Sequence, residues 1–262
     1  MTLAGPPQRI VSLAPSLTET LFALKLDSAI VGVTDYCDFP PEAKLRPRVG
    51  GMLNPATEAI VNLRPDVVLM SGSGNLRSDF ARLTGLGLTV FVSHPRDLHG
   101  IYKSLTDIAA LTGTQARADS MIASLKAEEA RLRGLSAQQP TRSVLFLVSL
   151  HPLISAGPGT FIDEMIRLCN GRNIASAGHT AYPLMSREVI LAADPERIVV
   201  TSDAAENTAQ VLDAFAEWHE LRAVADTSIT LVNADMLTRP GPRIVKGMQE
   251  LFRAIHGPHA SR

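Results

Sequence analysis

The sequence predicts an α/β protein of two Rossmann-like lobes with mostly parallel central sheets, joined by a long rigid helix, with a ligand cleft between the lobes. Three observations support this prediction. Short runs of aliphatic and β-branched residues alternate with helical patterns, the plan occurs in both halves, and a long helical stretch separates them. Continuous apolar strands flanked by helices are typical of a parallel sheet buried on both faces.

The first half is predicted to contain four strands and three helices. Ser16 is expected to cap the first helix, with Glu19 three residues later as in a capping box. Pro55 suits the first turn of the second helix, where a missing N–H needs no partner. The strands cover 9–13, 30–33, 66–70 and 89–92, and the helices cover 17–24, 55–63 and 76–83.

The second half is predicted to repeat this plan, and the segment before it sets the domain boundaries. Apolar spacing over 98–108 predicts a helix that Gly113 ends. We expect an N-terminal lobe at 1–113, a backbone helix at 114–138 and a C-terminal lobe at 139–262. A helix fixes the lobe spacing, so small lobe rotation is expected on binding. The later strands cover 143–148, 197–201 and 230–232, and the helices cover 161–168, 187–191 and 243–255.

Composition excludes several classes of function. The 262 residues are 45% hydrophobic and 19% charged, with a formal net charge of -1. A near-neutral chain lacks the broad basic field that binds nucleic acid or anionic membranes. No apolar run reaches the about 18 residues that would span a bilayer. The start, 1–9, lacks a secretory signal pattern, which leaves a signal removed from this chain or a cytoplasmic protein as alternatives.

Common enzyme motifs are absent. The glycines of Ser71–Asn75 follow a strand and precede a helix, but Arg77 stands where a dinucleotide-binding GxGxxG motif needs its third glycine. The second glycine pair, Gly157 and Gly159, has Ile162 at that place. A P-loop and a GxSxG nucleophile elbow are also missing. We therefore expect these glycines to let loops turn tightly and approach a ligand at strand ends.

Cysteines and histidines do not indicate a catalytic or metal centre. The two cysteines, Cys37 and Cys169, form no CxxC and are expected to be unpaired, mostly buried thiols. None of the seven histidines belongs to an HExxH motif. His151 and His179 fall in loops of the second half, where a cleft would lie, and loop positions favour binding. No catalytic residue, metal site or resident cofactor is predicted.

Each half offers a glutamate in the first turn of a helix. Glu58 begins one helix and Glu188 begins another. One interpretation is that each acid complements the helix dipole. The other is that two exposed carboxylates on separate lobes each meet an arginine of a partner.

Seven stretches in conserved order resemble the cobalamin-binding members of the helical-backbone substrate-binding proteins of ABC importers. Relatives in that family bind ferric siderophores and haem. The TDYCDFPPEA and VGGMLNP segments resemble the cobalamin-binding branch more than the siderophore-binding branch. The stretches are RIVSLAPSLTETLFAL at 9–24, VGVTDYCDFPPEA at 31–43, VGGMLNPATEAIVNLRPDVVL at 49–69, SGNLRSDFARLTGLGLTVFV at 73–92, PLISAGPGTFIDEMIRLCNGRNI at 152–174, YPLMSREVILAADPERIVV at 182–200 and RPGPRIVKGMQEL at 239–251.

The resemblance implies roles for matched residues. Tyr36 matches a ring that faces the corrin, Tyr182 an aromatic position, and Arg239 an arginine that faces the cleft. Glu58 and Glu188 match the glutamates that dock each lobe onto the permease dimer. Family tryptophans fall near Gly50–Met52 and Ser71, whereas the single tryptophan here is Trp218. Cys169 matches one half of a family disulfide whose other cysteine is missing from the C-terminal helix.

The predicted ligand is cobalamin or a related corrinoid. A corrin is a wide, mostly apolar disc with amides at its rim, so it needs aromatic faces and polar groups at the edges. Tyrosine rings would cover the disc, and serine, asparagine and arginine side chains would bond the rim amides. The predicted ligand-binding residues are Tyr36, Gly51, Met52, Ser71, Ser73, Asn75, His151, Tyr182 and Arg239.

Three alternatives stay open at this point. A protein of the same fold could bind a ferric siderophore or haem, for which Arg239 and Arg77 would be a small set of cations. An α/β metal- or nucleotide-dependent enzyme is the alternative from another class. A cytoplasmic corrinoid carrier or sensor is the third. If the chain serves an importer, we expect it in the periplasm or anchored on the outer side of the membrane.

Overall fold

The computed structural model describes residues 5–257, and the chain divides into two compact α/β units. Unit 1 consists of the chain up to Pro95 together with His99–Ser124, and unit 2 consists of Arg96–Leu98 and the chain from Leu125 onward. The helix expected at 114–138 begins at Gln115 and ends at Ser136. The division between the units falls within that helix, so its residues are shared between them.

Unit 1 is built on a four-stranded sheet in the order β2-β1-β3-β4, with every neighbouring pair parallel. The strands are β1 (Ile10–Ser12), β2 (Ile30–Val33), β3 (Val67–Ser71) and β4 (Val90–Ser93). The helices are α1 (Pro15–Ala23), α2 (Thr57–Asn62), α3 (Arg77–Gly85), α4 (Leu98–Thr112) and α5 (Gln115–Ser136), and short 3-10 helices lie at Asp27–Ala29 and Pro41–Leu45. Parallel order brings the carboxyl ends of all four strands to one edge of the sheet.

Two expected helix starts were wrong. Helix α1 begins at Pro15 with Ala14 as its N-cap, so Ser16 lies inside the helix and is buried rather than capping it. Pro15 takes the first helical position, where its ring already has the helical φ. Pro55 does not enter α2, because a bridge to Gly50 and an Ala56 N–H bond to the Val49 carbonyl hold it in a turn.

Unit 2 contains a second sheet in the order β6-β5-β8-β9, with β7 also paired to β5. Only the β5–β6 pair is antiparallel among the described pairs. The strands are β5 (Arg142–Leu150), β6 (Leu153–Ser155), β7 (Gly171–Asn173), β8 (Arg197–Thr201) and β9 (Ile229–Val232). The helices are α6 (Phe161–Leu168), α7 (Arg187–Ala193), α8 (Thr208–Ala214), α9 (Arg222–Ala225), α10 (Ala234–Thr238) and α11 (Ile244–His256), and 3-10 helices lie at Ile174–Ala177 and Ala216–Glu220.

Five short elements of unit 2 were absent from the sequence prediction. The strands β6 and β7 have three residues each, and α8, α9 and α10 have seven, four and five. Segments this short show too little periodicity to be recognised. Asn207 was a usable signal for α8, since its side chain accepts the Gln210 N–H as an N-cap.

Each unit contains its own copy of the same junction, which consists of a residue in the left-handed conformation, a proline and an acidic residue. Arg64–Asp66 follows α2, and Asp194–Glu196 follows α7 exactly 130 positions later. The first residue of each has a positive φ, 44° at Arg64 and 38° at Asp194. A left-handed residue ends a helix, and proline prevents its continuation. Both units therefore connect a glutamate-bearing helix to a central strand in the same way.

The acid of each junction binds the start of the neighbouring strand. The Asp66 carboxylate accepts the N–H groups of Gln8 and Arg9 at 2.7 and 2.8 Å. In unit 2 the Glu196 carboxylate accepts the Ser143 N–H at 2.9 Å. These bonds satisfy strand-end donors that no other strand reaches. Both sheets are thus anchored at their amino ends by an equivalent acid.

A pair of helical glycines provides a test of the packing in unit 2. A Cβ at Gly247 of α11 would overlap the Met236 carbonyl oxygen of α10, whereas a Cβ at Gly134 of α5 would meet open space. We expect Gly247→Ala to lower the free energy of unfolding by about 1–3 kcal/mol through overpacking. Gly134→Ala should raise it by about 0.5–1 kcal/mol, because alanine is the better helix former. Denaturant unfolding of both variants measures the difference, and equal effects would contradict the close α10–α11 contact.

Candidate functional site

The structure places all six predicted ligand-binding residues of unit 1 in three loops at the carboxyl edge of its sheet. Tyr36 lies after β2, Gly51 and Met52 precede α2, and the other three follow or end β3. Tyr36 is 61% exposed, so its ring is accessible at this edge of the sheet. These residues are Tyr36, Gly51, Met52, Ser71, Ser73 and Asn75.

The Asn75 carboxamide ties these loops together. Its NH₂ group donates to the carbonyl of Leu13 at 2.9 Å and to the carbonyl of Met52 at 2.8 Å. Its oxygen accepts the Ser71 N–H at 2.7 Å. Both amide donors are therefore in use, so we infer that Asn75 shapes the edge instead of bonding the rim of a ligand. Ser71 is buried and its hydroxyl lies 3.2 Å from that of exposed Ser73, which leaves Ser73 as the outward hydroxyl.

Glycines of the same loops admit side chains from neighbouring segments. A Cβ at Gly74 would overlap the Met52 methyl group, and a Cβ at Gly51 would overlap the carboxamide oxygen of Asn54. A Cβ at Gly72 would stand only 2.5 Å from Nδ1 of His94. The sequence analysis did not single out His94 among the seven histidines. Its position directly after a parallel strand could have indicated that it belongs to the candidate residues at this edge of the sheet.

A buried thiol supports the loop that carries Tyr36. Cys37 is fully buried, and its sulfur lies 3.1 Å from the hydroxyl oxygens of both Thr18 and Thr34. Burial raises the pKa of the Cys37 thiol, so it stays protonated at neutral pH. Arg48 donates to the backbone carbonyls of Thr34 and Cys37, which fixes the loop further. Both cysteines are free, as the sequence indicated.

Unit 2 contains an open depression of about 420 Å³ lined by both apolar and polar side chains. His151 lies on this surface with its ring stacked near Phe215, at a centroid distance of 5.9 Å and an angle of 14°. Phe215 is buried and stacks on Trp218 at 4.2 Å, and the Arg187 guanidinium lies over the Phe215 ring at 4.9 Å. The depression is lined by Leu150, His151, Pro152, Leu153, Met185, Ser186, Arg187, Glu188 and Phe215.

Tyr182 belongs to an extended segment that runs beside β6. The Ser155 N–H donates to the Pro183 carbonyl at 3.1 Å, and the Met185 N–H donates to the Leu153 carbonyl at 2.9 Å. These bonds hold the segment while the Tyr182 side chain stays 51% exposed. Neighbouring protein atoms partly desolvate the hydroxyl and raise the pKa of Tyr182. The backbone around Tyr182 is thus fixed, while about half of its side chain stays exposed.

Arg239, for which the resemblance implies a position facing the cleft, has an ion-pair partner within unit 2. It directly follows α10 and is partly buried. Its guanidinium is paired with the Asp235 carboxylate at 2.5 Å, and Arg243 lies 3.9 Å from the other oxygen of that carboxylate. Arg239 and Arg243 therefore share the Asp235 carboxylate within unit 2.

The two glutamates occupy equivalent positions. Glu58 is the second residue of α2 and Glu188 the second residue of α7, and both side chains are exposed. The fourth residue of each helix, Ile60 or Ile190, is fully buried and anchors the helix. Hydrogen bonds from its own N–H and from the Ser186 hydroxyl lower the pKa of Glu188, so its carboxylate stays charged.

Residues 5–257 contain no cluster of three or more His, Cys, Asp or Glu side chains that could hold a metal ion. None of the helices in this range is long and apolar enough to cross a membrane.

Comparison with known proteins identifies the family. Residues 10–235 match the model of the periplasmic binding protein family. The chain is 32% identical to an uncharacterized ABC transporter substrate-binding lipoprotein, YvrC, of Bacillus subtilis, over 98% of this chain and 82% of the relative. It is 31% identical to the vitamin B12-binding protein of Vibrio cholerae, over 94% of this chain and 88% of the relative.

Solved structures with the same fold have different ligands in their names. The periplasmic vitamin B12-binding protein BtuF of Vibrio cholerae has a TM-score of 0.83 and 27% identity, covering 95% of this chain and 96% of that one. A periplasmic heme-binding protein of Pseudomonas aeruginosa has a TM-score of 0.87 and 27% identity, covering 96% of this chain and 94% of that one. These relatives and solved structures are all named as binding proteins, which agrees with the absence of enzyme motifs from the sequence. The chain belongs to the periplasmic binding protein family.

Proposed function

We propose that this chain captures cobalamin or a related corrinoid outside the cytoplasm and delivers it to an ABC importer. The relatives named as vitamin B12-binding support this ligand, with 31% identity over 94% of the chain. The observation that carries the proposal is the state of the arginines around the candidate residues. Corrin rim amides are neutral and need hydrogen-bonding groups, whereas haem propionates and ferric siderophores need unpaired cations.

Three arginines in these regions already have partners. Arg48 donates to two backbone carbonyls of unit 1, and Arg239 is paired with Asp235. Arg187 lies over the Phe215 ring and 3.2 Å from the Glu217 carboxylate. Arg77, at the start of α3, is exposed and offers one charge. This arrangement suits a ligand with a neutral rim better than a multiply charged one.

Haem is the second candidate. A heme-binding protein is among the solved structures that share the fold at 27% identity. Haem is also a flat macrocycle, for which Tyr36 and Tyr182 could supply rings. The distinction between the two ligands therefore depends on charge at the rim, and direct binding can resolve it.

Delivery to a permease follows from the family's named relatives. YvrC is named as an ABC transporter substrate-binding lipoprotein, which supports a position on the outer side of the membrane for this chain. Two exposed carboxylates at equivalent positions suit a two-fold symmetric permease, because each could pair with the same arginine of one subunit.

Ligand binding provides the first test of the proposal. Purified protein titrated with cyanocobalamin, cobinamide, haemin and a ferric siderophore should give a calorimetric signal with the corrinoids and a weaker one with the charged ligands. We expect the corrinoids to bind more strongly than the charged ligands because the neutral corrin rim needs no free cation. Tight haemin or siderophore binding without corrinoid binding would overturn the assignment.

The tyrosine rings provide a second test. Tyr36→Ala and Tyr182→Ala should each weaken corrinoid binding by about 1–3 kcal/mol, since each removes an apolar face that covers the macrocycle. Tyr36→Phe should retain most of the affinity. Leu45→Ala removes an apolar side chain that is 84% exposed and serves as the control. Unchanged calorimetric affinity in both alanine variants would exclude these rings from the ligand site.

The glutamates provide a third test, of docking. The double variant Glu58→Ala/Glu188→Ala should stop uptake by the cognate importer reconstituted in liposomes, because both points of arginine pairing are lost. Corrinoid affinity should stay unchanged. The control, Glu42→Ala/Glu220→Ala, removes one exposed acid from each unit.

High salt should weaken docking of the unmodified protein, since exposed charges are screened over about 8–10 Å at ordinary ionic strength.

If both acids serve only their helix dipoles, the double variant would still deliver ligand at the normal rate.

A further inference from the structure

The glutamate-bearing helix of unit 1 is held at its carboxyl end by one arginine. The Nε and Nη2 groups of Arg9 donate to the Leu63 carbonyl at 3.0 and 2.7 Å, and Nε also donates to the Arg64 carbonyl at 3.2 Å. The backbone N–H of Arg9 donates to the Asp66 carboxylate at 2.8 Å. Arg9 therefore binds both ends of the segment that connects α2 to β3.

Unit 2 holds the end of α7 in a similar way. The Arg222 guanidinium donates to the carbonyl of Asp194 at 2.8 Å and to its carboxylate, and the Arg222 N–H donates to the same carboxylate at 2.9 Å. Asp194 is the left-handed C-cap of α7. The hydrogen bond from the Arg222 N–H, together with the guanidinium, lowers the pKa of Asp194, so its carboxylate is charged at neutral pH. In both units, one arginine thus uses its backbone and its side chain to bind the end of this helix.

The two arginines come from different places in the fold. Arg9 directly precedes β1, whereas Arg222 is the first residue of α9. Arg142, at the start of β5, stands where the repeat would place a counterpart of Arg9, but its guanidinium donates to the Glu196 carboxylate at 2.7 Å. The repeated fold alone therefore does not account for the contact, and each helix end receives its arginine from a separate segment.

Helices as short as α2 and α7 depend on such contacts. They have six and seven residues, and helices shorter than about 12–15 residues are marginal on their own. The last carbonyls of a helix lack partners within it, and a cation at that end both satisfies them and complements the helix dipole. At about 1.5 Å per residue, the bound end lies only about 8–9 Å from the glutamate. A shift of the bound end would therefore displace the carboxylate.

We propose that Arg9 and Arg222 are positioning residues, each of which holds the docking carboxylate of its own helix in place for the permease. For Arg9 this carboxylate is that of Glu58, and in unit 2 it is that of Glu188. The inference rests on the docking part of the proposed function, and it adds the residues that give each carboxylate a defined position. Both arginines act through the helix and not by contact with the permease.

The amino ends of the two helices differ. The Ser186 hydroxyl accepts the Val189 N–H at 3.2 Å as the N-cap of α7, whereas Ala56 at the start of α2 has no side chain that could do so. An N-cap stabilises a helix from its other end. Helix α2 therefore depends more on its arginine, and loss of Arg9 should have a larger effect than loss of Arg222.

Hydrogen exchange measures the effect on the helices. Arg9→Met and Arg222→Met remove the donors and keep the length of the side chain, so amides of α2 or of α7 should exchange about 10-fold faster through loss of charge-assisted hydrogen bonds. Replacement by lysine keeps the charge and should restore part of the protection. The controls, Arg82→Met and Arg253→Met, change exposed arginines in the last turns of α3 and α11 and should leave exchange in α2 and α7 unchanged.

Docking to the cognate importer in liposomes measures the effect on function, with ligand-free protein so that the result does not depend on the ligand. Arg9→Met should weaken docking about 10-fold, as loss of a charge-assisted contact does, and should leave the affinity for cyanocobalamin unchanged. In a Glu58→Ala background, which keeps the contact of unit 2, Arg9→Met should have no further effect, because it acts only through that carboxylate. Arg222→Met should still weaken docking there. The reciprocal set with Glu188→Ala should give the reverse.

The outcomes distinguish this inference from the proposed function. An equal effect of Arg9→Met with and without Glu58, or normal docking of both methionine variants, would overturn the positioning role and leave the function standing. Normal docking of Glu58→Ala/Glu188→Ala would overturn the docking role of the glutamates and the inference with it. The predicted docking pattern without cyanocobalamin binding would overturn the corrinoid and retain the inference.

Circular dichroism establishes that each variant is folded. Should Arg9→Met fail to fold, Arg9→Lys should give an intermediate loss of docking that again disappears in the Glu58→Ala background.

Discussion

The candidate site of unit 1 depends on the three hydrogen bonds of one carboxamide. Asn75 joins the end of β1 at Leu13, the loop that contains Met52 and the last residue of β3. Without it, two carbonyls and one N–H at the edge of the sheet would each need another partner. Removing such a partner from a part-buried site costs about 1–3 kcal/mol per unsatisfied group. The position of the Met52 backbone beside the ends of β1 and β3 follows from these bonds.

The second constraint is the repeated junction at the opposite ends of the strands. Each unit ends a glutamate-bearing helix with a left-handed residue and a proline, and the following acid binds the first residues of the neighbouring strand. Glu188 follows Glu58 by 130 positions, and Glu196 follows Asp66 by the same number. Equivalent backbone geometry therefore presents each glutamate in the same way within its own unit. A side-chain repeat alone would not ensure this, because the helix ends determine where each carboxylate lies.

Sequence patterns predicted the elements whose boundaries depend on local chemistry. Strands β2 and β8 and helix α6 have the predicted bounds, since apolar runs and clear flanking residues define them. The start of α1 depended on competition between Ser16 and Pro15 for the same turn, and the proline's fixed φ decided it. The start of α2 depended on the bridge between Gly50 and Pro55, a tertiary contact that the sequence does not reveal.

The candidate site shows the same division between local and tertiary information. Its placement at strand ends could be predicted, because parallel strands direct their carboxyl ends to one edge. The role of each residue within the candidate site could not be predicted. Asn75 looked like a ligand-binding amide, yet its donors are used by Leu13 and Met52. Arg239 was expected to face a ligand, yet its guanidinium is paired with the Asp235 carboxylate. Both outcomes depend on partners that are distant in sequence or arranged by a helix turn.

The glycines of the β3–α3 loop show how a failed motif can still indicate a functional place. Arg77 excludes a dinucleotide-binding fingerprint, and the backbone of the loop instead receives side chains. Met52 lies at Gly74 and His94 at Gly72, so each glycine makes room for a group from another segment. A phosphate-binding loop keeps such space for its ligand, and here the protein fills it with a thioether and an imidazole. The absence of Cβ atoms at these two glycines therefore determines where Met52 and His94 can lie at this edge of the sheet.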